Sequence, residues 1–165
     1  MLGDKAAVIL KSLLDGSVTT LELFFLTTVI SIPLGLIISI GRMSKRKWLK
    51  EILKIYILII RGTPLMLQLA FVYFAPYYML PEGAQINIDR MVAAVIAFSL
   101  NYAAYFAEIF RGGIESIEKE QYEAASVLGF TKFQTFIKII FPQVVKRIMP
   151  PISNEVITLV KDTAL

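Results

Sequence analysis

The sequence EAASVLGFTKFQTFIKIIFP, residues 123–142, decides the fold of this chain, because it predicts two short helices between two long apolar segments. Ser116 is positioned to cap the first short helix, and Gly129 supplies the residue at which that helix ends. Thr131 and Gln134 have the spacing of a capping box, so they predict the start of a second helix, which the apolar spacing extends to Pro142. A connection that only joined two apolar segments would not need this much structure.

The first short helix, predicted over about 117–129, has the character of a docking surface. Ala124 and Ala125 leave a small-residue surface that another protein's backbone can approach. Glu123 beside them can accept hydrogen bonds from Arg, Lys or backbone amides. The simpler alternative is an ordinary amphipathic helix on the protein surface.

The composition indicates a membrane protein. Of the 165 residues, 56% are hydrophobic and 18% are charged, and the mean hydropathy is +0.68. Without Cys the chain can form no disulfide, no thiolate metal site and no cysteine nucleophile, and without His it lacks the commonest general base and metal ligand. No catalytic residue and no metal site are therefore predicted. The net charge of +4 is concentrated in one loop, which favours a membrane orientation signal over nucleic-acid binding.

We predict an all-α integral membrane protein, a bundle of transmembrane helices in a single domain, residues 1–165. Four segments are candidate spans, since about 20 apolar residues cross a hydrocarbon core of about 30 Å. They are residues 18–40, 52–80, 90–111 and 144–165. The basic cluster from Arg42 to Lys50 places the first loop in the cytoplasm and the N-terminus outside.

Three of the spans have features beyond simple apolarity. The second is interrupted near Arg61-Gly62-Thr63-Pro64. The third is rich in alanine, which lets helices pack closely in lipid. The fourth carries too many charged residues to face lipid, so it is expected to be buried in protein or to line a watery path.

Polar residues of these three spans are predicted to meet near the middle of the bilayer. Counting along each span brings residues 66–68, 101–102 and 154–155 to the same depth. A carboxylate there costs roughly 2.5 to 3.5 kcal/mol, so Glu155 is either paired or functional. Transporters place solutes at this depth beside interrupted helices. The candidate solute site is Asn101, Tyr102, Glu155 and Thr158, with Gln68 and Asp162 as further members.

Each of these residues also has a structural interpretation. Glu155 could pair with Arg147, with Lys161 or with a neighbouring subunit. Asn101 and Tyr102 could form hydrogen bonds between helices. Glu108, three residues before Arg111, is interpreted as half of an intrahelical ion pair.

These motifs resemble one known family, the permease subunits of ATP-binding-cassette importers. The cytoplasmic loop of that family carries Glu-Ala-Ala, three residues, Gly, nine residues, Ile, any residue and Leu-Pro. The spacing here is the same, with Phe141 in place of the Leu. Residues 61–65, 101–113 and 154–163 are similar to the branch that imports polar amino acids, and the resemblance runs from about Gly16 to the last residue.

The resemblance implies a subunit that performs no chemistry and holds no cofactor. The sequence has no phosphate-binding loop of the Gly-x-x-x-x-Gly-Lys-Ser/Thr type, so ATP and Mg²⁺ are expected on separate ATPase subunits. Those subunits would bind the helix that carries Glu123, Ala124, Ala125 and Gly129. Further implied partners are an extracytoplasmic solute-binding protein, a second copy of the chain in a homodimer and the bacterial plasma membrane. Family members usually have another span after the position of Leu165.

A carboxylate at the bilayer midplane suits a cationic solute, so we favour a basic amino acid such as arginine, lysine or histidine. An importer for glutamine or another small polar solute is the alternative. Two other classes stay open at this point. A secondary carrier would need paired repeats and more spans. An intramembrane hydrolase could use Glu155 and Asp162, two helical turns apart, as a carboxylate pair.

Overall fold

The chain folds into helices and contains no β-strand within residues 2–82 and 84–164, the part that this computed structural model describes. The helices are α1 (Leu2–Arg42), α2 (Lys47–Gly62), α3 (Leu65–Tyr78), α4 (Arg90–Glu115), α5 (Lys119–Val127), α6 (Lys132–Thr135), a π-helical turn (Phe136–Ile140) and α7 (Phe141–Asp162). The prediction of an all-α fold is confirmed. The first and last residues of the predicted domain, 1 and 165, lie outside the described residues.

Two helices are long and apolar enough to cross a bilayer, α1 over Ala7–Arg42 and α4 over its full length. The pair α2 and α3 adds a third crossing if it is counted as one broken span. Among the described helices, α7 does not have the apolarity that this count requires. That property agrees with the charged residues that made the fourth segment unsuited to lipid.

Small residues hold α1 against α4. Thr27, Ser31 and Ser39 are fully buried at four-residue spacing on α1, with Gly35 completing the row. A Cβ atom added to Gly35 would lie 2.7 Å from Cβ of Phe106, because Ala103 and its neighbours let the two backbones approach closely. In lipid, close packing of this kind replaces the hydrophobic drive that joins helices in water. The prediction that the alanines of the third span face other helices is confirmed.

The predicted interruption of the second span is a sharp bend. The axes of α2 and α3 differ by 107° at Thr63 and Pro64, both in extended conformation. The Nε2 atom of Gln68 donates to the carbonyl oxygen of Ile60 at 2.8 Å and to the carbonyl and hydroxyl oxygens of Thr63 at 3.1 and 2.8 Å. The Gln68 amide therefore satisfies backbone groups that the break leaves without helical partners.

The short helix α5 has the C-terminus that the sequence predicts. Gly129 has a φ of 78°, and its N–H donates to the carbonyl of Ser126 while the N–H of Phe130 donates to that of Ala125, both at 3.0 Å. These two bonds form a Schellman motif. The predicted cap at the other end is wrong. Ser116 ends α4, where its hydroxyl donates to the carbonyl of Gly113, and Glu118 stands at the start of α5.

The predicted second short helix begins as expected but continues differently. Thr131 and Gln134 form the capping box, so that prediction is confirmed. The helix does not stop at Pro142, because a π-helical turn joins α6 to α7 without a break. Proline has no N–H for a regular helical bond, and the preceding turn is widened so that the N–H of Phe141 reaches the carbonyl of Phe136.

A substitution at Gly129 tests the geometry of this corner. We expect Gly129→Val to lower the free energy of unfolding by about 1 to 2 kcal/mol, because a β-branched residue is strained at positive φ. Gly129→Asn should cost less, since Asn tolerates this conformation. A Cβ atom at this position would meet nothing within 4 Å, so crowding does not complicate the comparison. If the two variants melted at the same temperature, backbone strain at positive φ would not be the cause of the stability lost in Gly129→Val.

Candidate functional site

The candidate solute residues surround a cavity of about 220 Å³ between the α2–α3 break, α4 and α7. The break contributes Thr63, Pro64 and Leu65 to the wall. Five of the six residues that the sequence singles out also line the cavity: Asn101, Tyr102, Glu155, Thr158 and Asp162. Counting residues along each span therefore correctly predicted that these side chains lie together. Their role in solute binding stays a prediction.

One face of α7 supplies Glu155, Thr158 and Asp162, which are three and four residues apart and so lie along one side of the helix. From α4, the hydroxyl of Tyr102 donates to Oδ2 of Asp162 at 2.6 Å, and this tyrosine is only 1% exposed. The bond fixes the position of the Asp162 carboxylate. The other oxygen of that carboxylate receives no hydrogen bond from the described residues.

The sixth residue, Gln68, lies behind the cavity wall. Its Oε1 atom accepts a hydrogen bond of 2.9 Å from Nδ2 of the buried Asn101, while its Nε2 atom is used at the helix break. Both ends of the amide are thus bonded to protein. In this arrangement Gln68 joins the α2–α3 break to α4 and orients Asn101 towards the cavity.

The polar atoms left over at the cavity are mostly acceptors. Nδ2 of Asn101 donates one hydrogen bond to Gln68, and the hydroxyl of Tyr102 donates to Asp162. The hydroxyl of Thr158 donates to the carbonyl oxygen of Asn154 at 3.0 Å. What remains are two carboxylates, the carbonyl oxygen and second N–H of Asn101, and the hydroxyl of Tyr105, so acceptors outnumber donors. Such a lining can bind a group that carries several N–H donors and positive charge.

Arg147 and Lys161 are the two residues of this chain that the sequence suggested as partners of Glu155, and neither pairs with it within the described residues. The guanidinium of Arg147 instead donates to the carbonyl oxygen of Ser116, at the end of α4. Within residues 2–82 and 84–164, neither Arg147 nor Lys161 forms an ion pair with Glu155. A neighbouring subunit stays open as a structural partner.

The docking surface predicted on α5 is partly turned inward. Glu123 and Ala124 are exposed, whereas Ala125 is 1% exposed and packs inside the chain. Ala124 is therefore the alanine that a partner could approach. Large apolar side chains near the end of α5 and on α6 are also exposed and were not predicted: Val127, Leu128 and Phe133. The sequence contains the signal for two of them, because Val127 and Leu128 are large apolar residues that follow Ala124 within the predicted helix, residues 117–129.

At the end of the bundle near α5, four charged residues form a chain. The predicted pair of Glu108 with Arg111 is confirmed, with a distance of 2.6 Å between Oε2 and Nη2. Arg111 also contacts Glu115 at 2.5 Å, and Arg42 of α1 lies 3.5 Å from Glu108. The contact with Arg42 links α1 to α4 and was not predicted, because it joins residues far apart in sequence.

A helical membrane bundle that encloses an acidic cavity beside a broken helix, and that presents a short exposed helix at one end, has the architecture of a membrane permease. Residues 31–165 match the family described as the binding-protein-dependent transport system inner membrane component. The chain belongs to this family, whose members are transport subunits of bacterial plasma membranes.

Its relatives lie in the amino-acid branch. The putative glutamine transport system permease protein GlnP of Rickettsia conorii is 36% identical over 153 residues, which cover 93% of this chain and 68% of the relative. The arginine transport system permease protein ArtQ of Bacillus subtilis is 40% identical with the same coverage. The crystal structure of an amino acid ABC transporter with histidines matches with a TM-score of 0.84 and 37% identity, covering 96% of this chain and 72% of the solved one.

These findings confirm the resemblance to the importer permeases, including the fold, the permease class and the location in the bacterial plasma membrane. They also decide between the classes left open. Membership of a transport-permease family replaces the hypotheses of a secondary carrier and of an intramembrane hydrolase. Glu155 and Asp162 do line one cavity, but as part of a permease.

Proposed function

We propose that this chain forms part of the path by which an ATP-driven importer moves a basic amino acid across the membrane. The observation that carries the proposal is the cavity with two carboxylates, Glu155 and Asp162, and few unused donors. Arginine, lysine and histidine bring cationic N–H groups to such a site, and charge-assisted hydrogen bonds are about twice as strong as neutral ones.

The remaining site residues are assigned by their contacts. Asp162, held by Tyr102, and Glu155 bind the cationic group, and Asn101 supplies a further acceptor, with Gln68 orienting it. Thr158 offers the lone pairs of its hydroxyl. The names of two relatives support the general class, since one is an arginine and the other a glutamine permease. Glutamine import is the second candidate, favoured by the neutral amide groups near the cavity.

The transport cycle needs partners. We propose that separate ATPase subunits bind the coupling helix through Glu123, Ala124 and the corner at Gly129, with Ala125 as the inner support of that helix. An extracytoplasmic binding protein delivers the solute, and a second copy of the chain completes the path. Residues 1–165 act as one permease domain in this assembly. ATP-driven closure of the ATPases moves the coupling helices and turns the path outward, and hydrolysis restores the inward state.

Uptake by the reconstituted importer tests the solute. With the ATPase and binding protein present, proteoliposomes should accumulate radiolabelled arginine, lysine or histidine in an ATP-dependent manner. An excess of an unlabelled basic amino acid should compete about tenfold or more better than glutamine, as expected for a contact worth about 1.5 to 3 kcal/mol. Stronger competition by glutamine would reverse the order of the two candidates. Uptake of neither class would refute the amino-acid assignment.

A further inference from the structure

A second cavity has a volume of about 430 Å³, and the orientation predicted from the basic loop places it on the cytoplasmic side of the solute cavity. Arg42, Lys54 and Arg61 line it together with a single carboxylate, that of Glu108. We call it the basic cleft. It is formed where α1, α2 and α4 meet, and the proposed transport mechanism gives it no task.

The carboxylate does not neutralise the basic cleft. Glu108 is bonded to Arg111 at 2.6 Å and lies 3.5 Å from Arg42, so its charge is shared between two guanidinium groups. Lys54 has Glu51 at 3.8 Å, but both side chains are 59% exposed, and such a pair contributes little. The cleft therefore keeps an excess of positive charge.

Two of the guanidinium groups have unused donors. The side chain of Arg42 is 12% exposed, and its Nε atom is buried without an acceptor in the part of the chain that the structure describes. Burying an unbonded donor costs free energy, so a missing acceptor is indicated. The guanidinium of Arg61 lies 4.9 Å from the ring centre of Tyr105 and forms no ion pair with any described residue.

The side of α2 that faces the cleft combines positive charge with exposed apolar surface. Lys54 and Arg61 are seven residues apart, which puts them on one side of the helix about 10 Å apart along its axis. Leu58 lies between them and is 71% exposed. An anion at the cleft would thus have basic groups around it and an apolar surface beside it. A soluble anion gains nothing from that surface, whereas a lipid can lay an acyl chain on it.

We propose that the basic cleft binds the phosphate headgroup of an anionic phospholipid from the cytoplasmic leaflet. Arg42, Lys54 and Arg61 contact the phosphate oxygens, and Leu58 contacts an acyl chain. Basic pockets between transmembrane helices on the cytoplasmic side suit acidic headgroups for this reason. The phosphate supplies the acceptor that Nε of Arg42 lacks.

Native mass spectrometry of the detergent-purified protein tests the proposal. Titration with phosphatidylglycerol should show one saturable site per chain, absent with phosphatidylcholine. Lys54→Gln and Arg61→Gln should each weaken phosphatidylglycerol binding about fivefold, the effect of one cation near an anionic headgroup. Lys50→Gln is the matched control, because Lys50 is on the same helix but does not line the cleft, and it should bind as the wild type does.

Two results would overturn the assignment. In the first, Lys54→Gln and Arg61→Gln retain phosphatidylglycerol as tightly as the wild type, so the cleft is not where the lipid binds. In the second, millimolar inorganic phosphate displaces the lipid from the wild type, which would make the cleft a site for soluble anions. A folding defect is distinguished from a binding defect by the melting temperature of each variant.

Discussion

The Glu155→Gln variant is expected to lose most uptake of a basic amino acid while the protein still assembles. Gln keeps the shape of the side chain and removes its charge. A hydrogen bond to a charged group contributes about 1.5 to 3 kcal/mol, so uptake at low solute concentration should fall by about 10- to 100-fold. Radiolabelled arginine, lysine and histidine uptake in proteoliposomes measures the effect, with basal ATPase activity as the readout for assembly.

The control for this variant is Glu22→Gln. Glu22 is an exposed carboxylate on α1 that does not line the solute cavity, so its loss should leave uptake unchanged. If Glu155→Gln takes up all three basic amino acids at the wild-type rate, Glu155 has a structural role. The assignment of a basic solute would then lose its main support.

The cavity could be predicted because depth in a membrane is a one-dimensional property. Each helix advances 1.5 Å per residue and the basic loop fixes its direction, so Asn101 and Glu155 could be placed at one level without knowing the packing. The rotation of each helix about its axis is not fixed in this way. The contact of Tyr102 with Asp162 and the inward turn of Ala125 depend on that rotation and were therefore beyond the sequence.

The helix ends predicted from local sequence were confirmed at Gly129 and at Thr131, and the prediction at Ser116 was wrong. Gly129 and the pair Thr131 and Gln134 act within one turn of helix, and the structure has both features. Ser116 is also a good capping residue, but tertiary packing extends α4 to this point, and its hydroxyl bonds to the turn before it. The contact of Arg42 with Glu108 joins two helices, so no local pattern could indicate it.

The row of Thr27, Ser31, Gly35 and Ser39 is a sequence signal for helix packing that was not predicted. Four small residues at four-residue spacing on a membrane helix predict close packing against another helix. Together with the buried alanines of α4, the row packs α1 closely against α4. The helix α4 also contacts α3 and α7, and residues of α4 and α7 line the cavity.

The Glu123→Lys variant is expected to lose the ATPase and, with it, transport. Glu123 is exposed on α5 beside Ala124 and the apolar side chains of Val127 and Leu128, so a partner that covers this surface also covers the carboxylate. A basic residue of the partner is the expected counterpart, and reversing the charge replaces attraction by repulsion. Placing like charges together at an interface costs several kcal/mol, which corresponds to a loss of affinity of about 100-fold or more.

Copurification of the ATPase and solute-stimulated ATP hydrolysis measure this loss. The control is Glu82→Lys, because it makes the same change of net charge at an exposed position outside α5. The helix itself should persist in Glu123→Lys, since Gly129 and the Schellman bonds at its end do not involve the Glu123 side chain. An unchanged melting temperature would verify this. Wild-type ATPase retention by Glu123→Lys would mean that the carboxylate is outside the interface, and the exposed apolar residues of α5 would then have to carry the contact alone.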